Sequence, residues 1–265
     1  MASETVAAPA EVKRPKIRVQ SAVKSYSGRV VVDVDDLTLG EQPIEGLIGP
    51  NGAGKTTLMR MVMHSIPLDR GAVTLSPPSG DQVELSSQPA QRIAHHGVVK
   101  SNQVIMDFDK LTIWDSLLLS VTEHRYEQPY RILSEGTVFK AHEEEMRHYL
   151  DYFGFEDPTK YALSAGEKKL LDMVRCLLLK PTFLLMDEPT AGLPDDLTEK
   201  VMDEMRRLAS AGTSVVIVEH DLNVIWSVCD KVHFMAEGKV VLDGDPESIR
   251  EHHTVVEKYL GEGHV

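Results

Sequence analysis

The chain is short of cysteine, of long apolar runs and of positive charge, and each shortage argues against a class of function. Cys176 and Cys229 are the only two cysteines in 265 residues. They stand in separate helical patterns without C-x-x-C spacing, so metal and redox readings are weak. Both are expected to be small buried hydrophobes in a reducing compartment. No apolar stretch approaches the roughly 20 residues that a spanning helix needs. The opening MASETVAAPAEVKRP lacks the apolar core of a secretory signal, and residues 1–15 are expected to be a disordered lead rich in Ala, Pro and charge. Lysine and arginine total 28 against 41 acidic residues, a formal charge of −13. Such a surface repels polyanions, which argues against nucleic acid as a partner. It repels anionic lipid too, so membrane attachment would go through a protein, and the expected place is the cytosol or the cytosolic side of a membrane.

What remains is a chain with 42% hydrophobic residues, enough to bury a full core. Its length suits one large α/β domain, or a core with a subdomain. Residues 17–24 and 29–38 alternate in part around the turn at Ser25–Gly28, which predicts a hairpin. Two more strands are expected at 71–76 and 82–85, a short helix at 89–95 and a strand at Val98 and Val99. Residues 113–121 and 139–153 read as helices, the second amphipathic through Phe139, His142, Met146, Leu150 and Phe153. Strands at 183–186 and 215–218 are apolar without alternation, as strands buried on both faces are, and they enclose a helix over 195–210. Another helix and a hairpin at 231–243 follow. The fold class is therefore α/β, with a parallel sheet, an N-terminal antiparallel β-subdomain and an inserted helical subdomain. The expected division is 16–103 and 181–265 for the core with its β-subdomain, and 104–180 for the helices.

Residues 49–57 read GPNGAGKTT, between a strand-like Ile44–Ile48 and the helical spacing of Leu58, Met59, Met61 and Val62. Strand, glycine turn and helix in that order are the context a phosphate-binding loop requires. Gly49, Gly52 and Gly54 let successive N–H groups converge on an anion, with Pro50, Asn51 and Ala53 between them. The helix start adds its positive end. Lys55 is expected to reach the β- and γ-phosphates, and Thr56, followed by Thr57, to give its hydroxyl to Mg²⁺. The chain reads as a nucleotide-binding protein.

The strand Phe183–Met186 ends in Asp187 and Glu188, at the same crevice as the loop. Asp187 is expected to hold Mg²⁺ and Glu188 to polarise an attacking water. The strand at 215–218 ends similarly in Glu219, His220 and Asp221. Of the 11 histidines, His220 alone is read as following a buried strand at that functional edge, which assigns it a γ-phosphate contact. Ser164 and Glu167, three apart before an apolar helix, form a capping box, with Ala165 and Gly166 between them. The same geometry presents free N–H groups to an anion.

GPNGAGKTT, Gln103, LSAGE, LLMDEP and VEHD, in this order, resemble the ATP-binding subunits of ABC transporters, from about residue 17 to the C-terminus. The resemblance implies ATP hydrolysis by a head-to-tail pair of such subunits, identical or related. Lys55 of one and the LSAGE helix of the other would enclose one ATP, with Ser164 and Gly166 on its γ-phosphate. It implies that Tyr26 stacks on adenine, although a plain turn tyrosine fits the sequence equally well. It implies that Gln103 touches Mg²⁺ and the attacking water, and that residues 113–121 help to receive a transmembrane permease subunit at the inner face of the cell membrane. DEPTAGL at 187–193 and the stretch at 218–246 look most like importers of branched-chain amino acids and related solutes, including urea, which work with a solute-binding protein. Three positions depart from the family pattern: Ala165 for Gly, Glu167 for Gln, and Pro194 where many members have Asp. A carboxylate at 167 is expected to disfavour phosphate. A soluble assembly ATPase of the iron–sulfur type is the alternative, separated by whether permeases or soluble partners co-purify.

Overall fold

The computed structural model describes residues 13–101, 111–121 and 135–255. Its first unit is an antiparallel sheet of four strands: β1 (Lys16–Tyr26), β2 (Arg29–Leu39), β4 (Arg70–Ser76) and the short β5 (Val83–Glu84). They lie in the order β2-β1-β4-β5. Ile17, Val19 and Ala22 of β1 are buried while their neighbours are exposed or half-buried, the alternation of a sheet with one dry face.

The second sheet has six strands in the order β10-β9-β3-β8-β7-β6. These are β3 (Ile44–Ile48), β6 (Val98–Lys100), β7 (Phe183–Asp187), β8 (Ser214–Val218), β9 (Lys231–Ala236) and β10 (Lys239–Gly244). All neighbours are parallel except β10, which closes an antiparallel hairpin on β9. Phe183 and Leu185 of β7 enter one core with the first sheet, while Leu184 and Met186 enter the other with the helices. In β8, Val216 and Val218 divide from Val215 and Ile217 in the same way. A strand that fills two cores has no polar side, which is why its sequence does not alternate.

Helix α1 (Lys55–Val62) follows β3, and the short α2 (Ala90–Ile93) precedes β6. Helices α3 (Ile113–Val121), α4 (Glu135–Phe153) and α5 (Ala165–Leu178) pack on one another between β6 and β7. The turn before α5 also holds α3, because the N–H groups of Ile113 and Trp114 donate to the carbonyls of Lys160 and Pro158. Helix α6 (Asp195–Ser210) buries Val201, Met202, Met205 and Leu208, the face its spacing predicts. It also buries Glu204, which accepts from the Tyr149 hydroxyl at 3.1 Å and from Arg207, and so ties α4 to α6. Burial beside that carboxylate pushes the Tyr149 hydroxyl pKa well above its ordinary value. Helices α7 (Leu222–Val228), α8 (Pro246–Glu251) and α9 (His253–Val255) complete the order. Among the described residues no helix is long and apolar enough to cross a membrane.

Candidate functional site

Because β3, β7 and β8 are parallel, their carboxyl ends open on one edge, and the three candidate segments meet there. The loop after β3 is shaped by what crowds it. Gly49 has φ +148, and a Cβ on it would stand 1.9 Å from the carbonyl oxygen of Met235. Gly54 has φ +104, and its Cβ would stand 2.7 Å from the carbonyl oxygen of Val31. Both obstacles are backbone and cannot swing away. Gly54 also begins α1 with no side-chain cap, so the first N–H groups of that helix keep their capacity to bind an anion. Gly49→Ala is expected to lose nucleotide binding while the remainder of the chain stays folded; a binding titration alongside thermal unfolding checks this.

Asn51, Gly52, Ala53, Gly54, Lys55, Thr56 and Thr57 line one side of a cavity of about 230 Å³. Glu188 and His220 face them, with Val31 and Val218 completing the wall. Lys55 is buried, and its ammonium donates to the carbonyls of Gly49 at 2.6 Å and Pro50 at 3.1 Å. Burial lowers its pKa, an effect that nearby Glu188 and Asp187 partly oppose.

Across the cavity, the register pairs Asp187 of β7 with Val218 of β8, so the residues that follow emerge side by side. Glu188 adopts φ +52, a left-handed conformation that costs a side-chain-bearing residue about 1–3 kcal/mol. Its N–H donates to the carbonyl of Val218 at 2.7 Å, and its carboxylate lies 3.0 Å from His220 Nε2. Asp187 is buried, and neither carboxylate oxygen accepts a hydrogen bond. Its nearest charge is the Lys100 ammonium, 3.3 Å from Oδ2, and its own N–H donates to the Ser101 hydroxyl. A buried carboxylate with unused lone pairs suits a hard divalent cation.

Other described candidates stand outside this cavity. Tyr26 is 46% exposed, with the Lys24 ammonium over its ring at 5.6 Å, and is not among the lining residues. Gln103 lies outside the described residues. Ser164, Ala165, Gly166 and Glu167 open α5 and do not line the cavity of their own chain. The capping box is complete: Glu167 N–H donates to Ser164 Oγ at 3.2 Å, and Ser164 N–H to Glu167 Oε2 at 2.7 Å. Lys160 donates to the other carboxylate oxygen at 2.8 Å. These bonds lower the pKa of the Glu167 carboxyl to about 2, chiefly through Lys160 and then the Ser164 N–H. The charge expected to repel phosphate is therefore already paired within its own subunit. Glu167→Gln keeps both capping bonds and loses only a solvated ion pair worth about 0–1 kcal/mol, so the ATPase rate is expected to stay within about fivefold. A phosphate-release assay showing a larger loss would give the carboxylate a specific role.

Sequence reasoning passed over Glu219. It is buried and accepts from both the N–H and the hydroxyl of Thr190, at 2.8 and 2.6 Å, joining the segment after β7 to the segment after β8.

A glycine-rich loop between a buried strand and a helix, on a two-sheet α/β core with an attached helical layer, defines a P-loop protein. A family model described as ABC transporter matches residues 32–191, and the chain belongs to that family as an ATP-hydrolysing subunit. The branched-chain amino acid transport ATP-binding protein BraF of Pseudomonas aeruginosa is 28% identical over 259 residues, covering 95% of this chain and all of that protein. The lipopolysaccharide export system ATP-binding protein LptB of Haemophilus influenzae is 30% identical over 246 residues, covering 93% and 97%. A nucleotide-free ATP-binding cassette from an ABC transporter superposes with a TM-score of 0.75 at 23% identity, over 94% of this chain and all of that one. A dimeric cassette in a post-hydrolysis state with ADP and Pi gives 0.71 at 19%, over 87% and 98%. At those identities the structures establish the shared fold.

Proposed function

We propose that the chain powers an importer for branched-chain amino acids or related small solutes, as one of two ATPase subunits that close head to tail around ATP. The observation that carries the hydrolytic part of this reading is Glu188, held in a left-handed turn against His220 across the cavity from Lys55. The loop N–H groups and Lys55 would bind the β- and γ-phosphates. A water would attack the γ-phosphorus as Glu188 takes its proton and the bond from that phosphorus to the β–γ bridging oxygen breaks, releasing ADP and phosphate, with His220 orienting the carboxylate and contacting the γ-phosphate. Thr56 and Asp187, joined by Gln103, would hold Mg²⁺, which supplies neutralising charge beside the phosphates. Ser164, Ala165, Gly166 and Glu167 of the second subunit would close the site, and Tyr26 would cover the adenine. The helical subdomain at 104–180 would receive the permease, with a solute-binding protein outside.

BraF, named for branched-chain amino acid transport, supports import, while LptB, named for export and equally similar, favours the opposite direction as a second reading. Co-purification with permeases, reconstitution in vesicles and measurement of ATP-dependent leucine uptake tests the choice. Uptake abolished by Glu188→Gln is expected. Lipid extraction without amino-acid uptake would establish the second reading, and co-purification with soluble proteins alone would remove both.

A further inference from the structure

Lys169 stands on the second turn of α5, the helix that Ser164 caps, yet its ammonium leaves that helix for the segment after β7. Nζ donates to the carbonyl of Glu188 at 2.7 Å and to the carbonyl of Ala191 at 2.7 Å. Among the described residues the Glu188 carbonyl otherwise receives a long bond from the Ala191 N–H, at 3.4 Å. Glu188 is therefore restrained at three points: its N–H by Val218, its carboxylate by His220 and its carbonyl by Lys169. The third restraint matters most for direction. A left-handed peptide on a residue with a side chain persists only when its surroundings hold it, and a small rotation there swings the carboxylate off the cavity. Ion-assisted bonds to two carbonyls three residues apart, at either end of that turn, are strong and short enough to do this.

We propose that Lys169 is a positioning residue for ATP hydrolysis: it fixes the turn that aims Glu188 at the γ-phosphate, and it ties that turn to the start of α5. This rests on the reading of Glu188 as the general base. Lys169 touches no nucleotide in this arrangement, so its effect belongs in turnover and not in ATP affinity. Because the start of α5 would contact the ATP held by the other subunit, closure on that ATP has a direct mechanical route to this subunit's base.

Four proteins test it: the wild type, Lys169→Met, Lys169→Arg and Glu188→Gln, with the Lys169→Met, Glu188→Gln double variant beside them. Phosphate release gives kcat and KM for ATP, and thermal unfolding reports the fold. Lys169→Met keeps the length of the stem and removes the donors, so kcat is expected to fall about ten- to a hundredfold with KM within about threefold. Lys169→Arg supplies donors to both carbonyls and is expected to restore most of the rate. In the double variant no further loss is expected, since Lys169 acts through a base that is already gone. Wild-type kcat in Lys169→Met, a shift confined to KM, failure of the arginine to restore the rate, or losses that multiply in the double variant would each overturn the proposal. If the wild type turns over and Glu188→Gln does not, such a result overturns the role of Lys169 alone. A wild type without turnover overturns the functional reading, and this proposal with it.

Discussion

Glu188→Gln is expected to lower ATP hydrolysis by at least about 10²–10⁴-fold, the usual contribution of a general base, while ATP binding survives. The substitution keeps the volume and the hydrogen-bonding reach toward His220, which lies 3.0 Å from the carboxylate. It removes the only function the left-handed turn at φ +52 is set up to deliver, a basic oxygen facing the phosphate loop. It also removes a negative charge from a cavity that must take a triphosphate, so affinity is expected to hold or rise. With turnover blocked, ATP should keep two subunits together, and size-exclusion chromatography is expected to show a dimer only when Mg²⁺ and ATP are present. Near wild-type hydrolysis would remove Glu188 from its role. An inactive variant that binds ATP and stays monomeric would point to a different ATPase as its partner.

Lys55→Ala acts on binding instead. Lys55 is buried at the closed end of the loop, where burial works against its charge and the Gly49 and Pro50 carbonyls retain it. Truncating one member of a buried, hydrogen-bonded charge pair costs about 2–5 kcal/mol, which is about 30- to 5,000-fold in Kd. Titration of a fluorescent ATP analogue is expected to show that loss. Affinity near that of the wild type would take Lys55 out of the site. Because the substitution also leaves two loop carbonyls without their donor, thermal unfolding of the variant shows whether the loop itself has come apart.

Much of this architecture was legible because local rules produce it. The runs at 183–186 and 215–218 declared buried strands, and the acids at the end of β7 fall beside the loop because parallel strands share an edge. The capping of α5 by Ser164 and Glu167 is a contact three residues long and is visible in any sequence. What escaped is held by partners far along the chain. Glu219 meets Thr190 across 29 residues, and the fully buried Glu45 meets His233 across 188, at 3.1 Å. No periodicity marks either pair. His233 shows the cost of that blindness, since it is a second histidine on a buried strand, packed away from the functional edge where His220 stands. Lys160 and Lys169 were likewise ordinary charges in the sequence. One neutralises the unusual Glu167, and the other reaches the turn at Glu188. Composition could count these residues but not aim them.

The central claim is that the cavity between Lys55 and Glu188 is where the γ-phosphate of ATP is bound and cleaved. A structure of the Glu188→Gln variant grown with Mg²⁺ and ATP tests it most directly. An intact triphosphate is expected on the loop N–H groups of residues 52–57, its γ-phosphate between Lys55 and the amide at position 188, and Ser164 and Gly166 of a second subunit closing over it. A triphosphate bound elsewhere on the chain, or a loop that stays empty at saturating ATP, would contradict it.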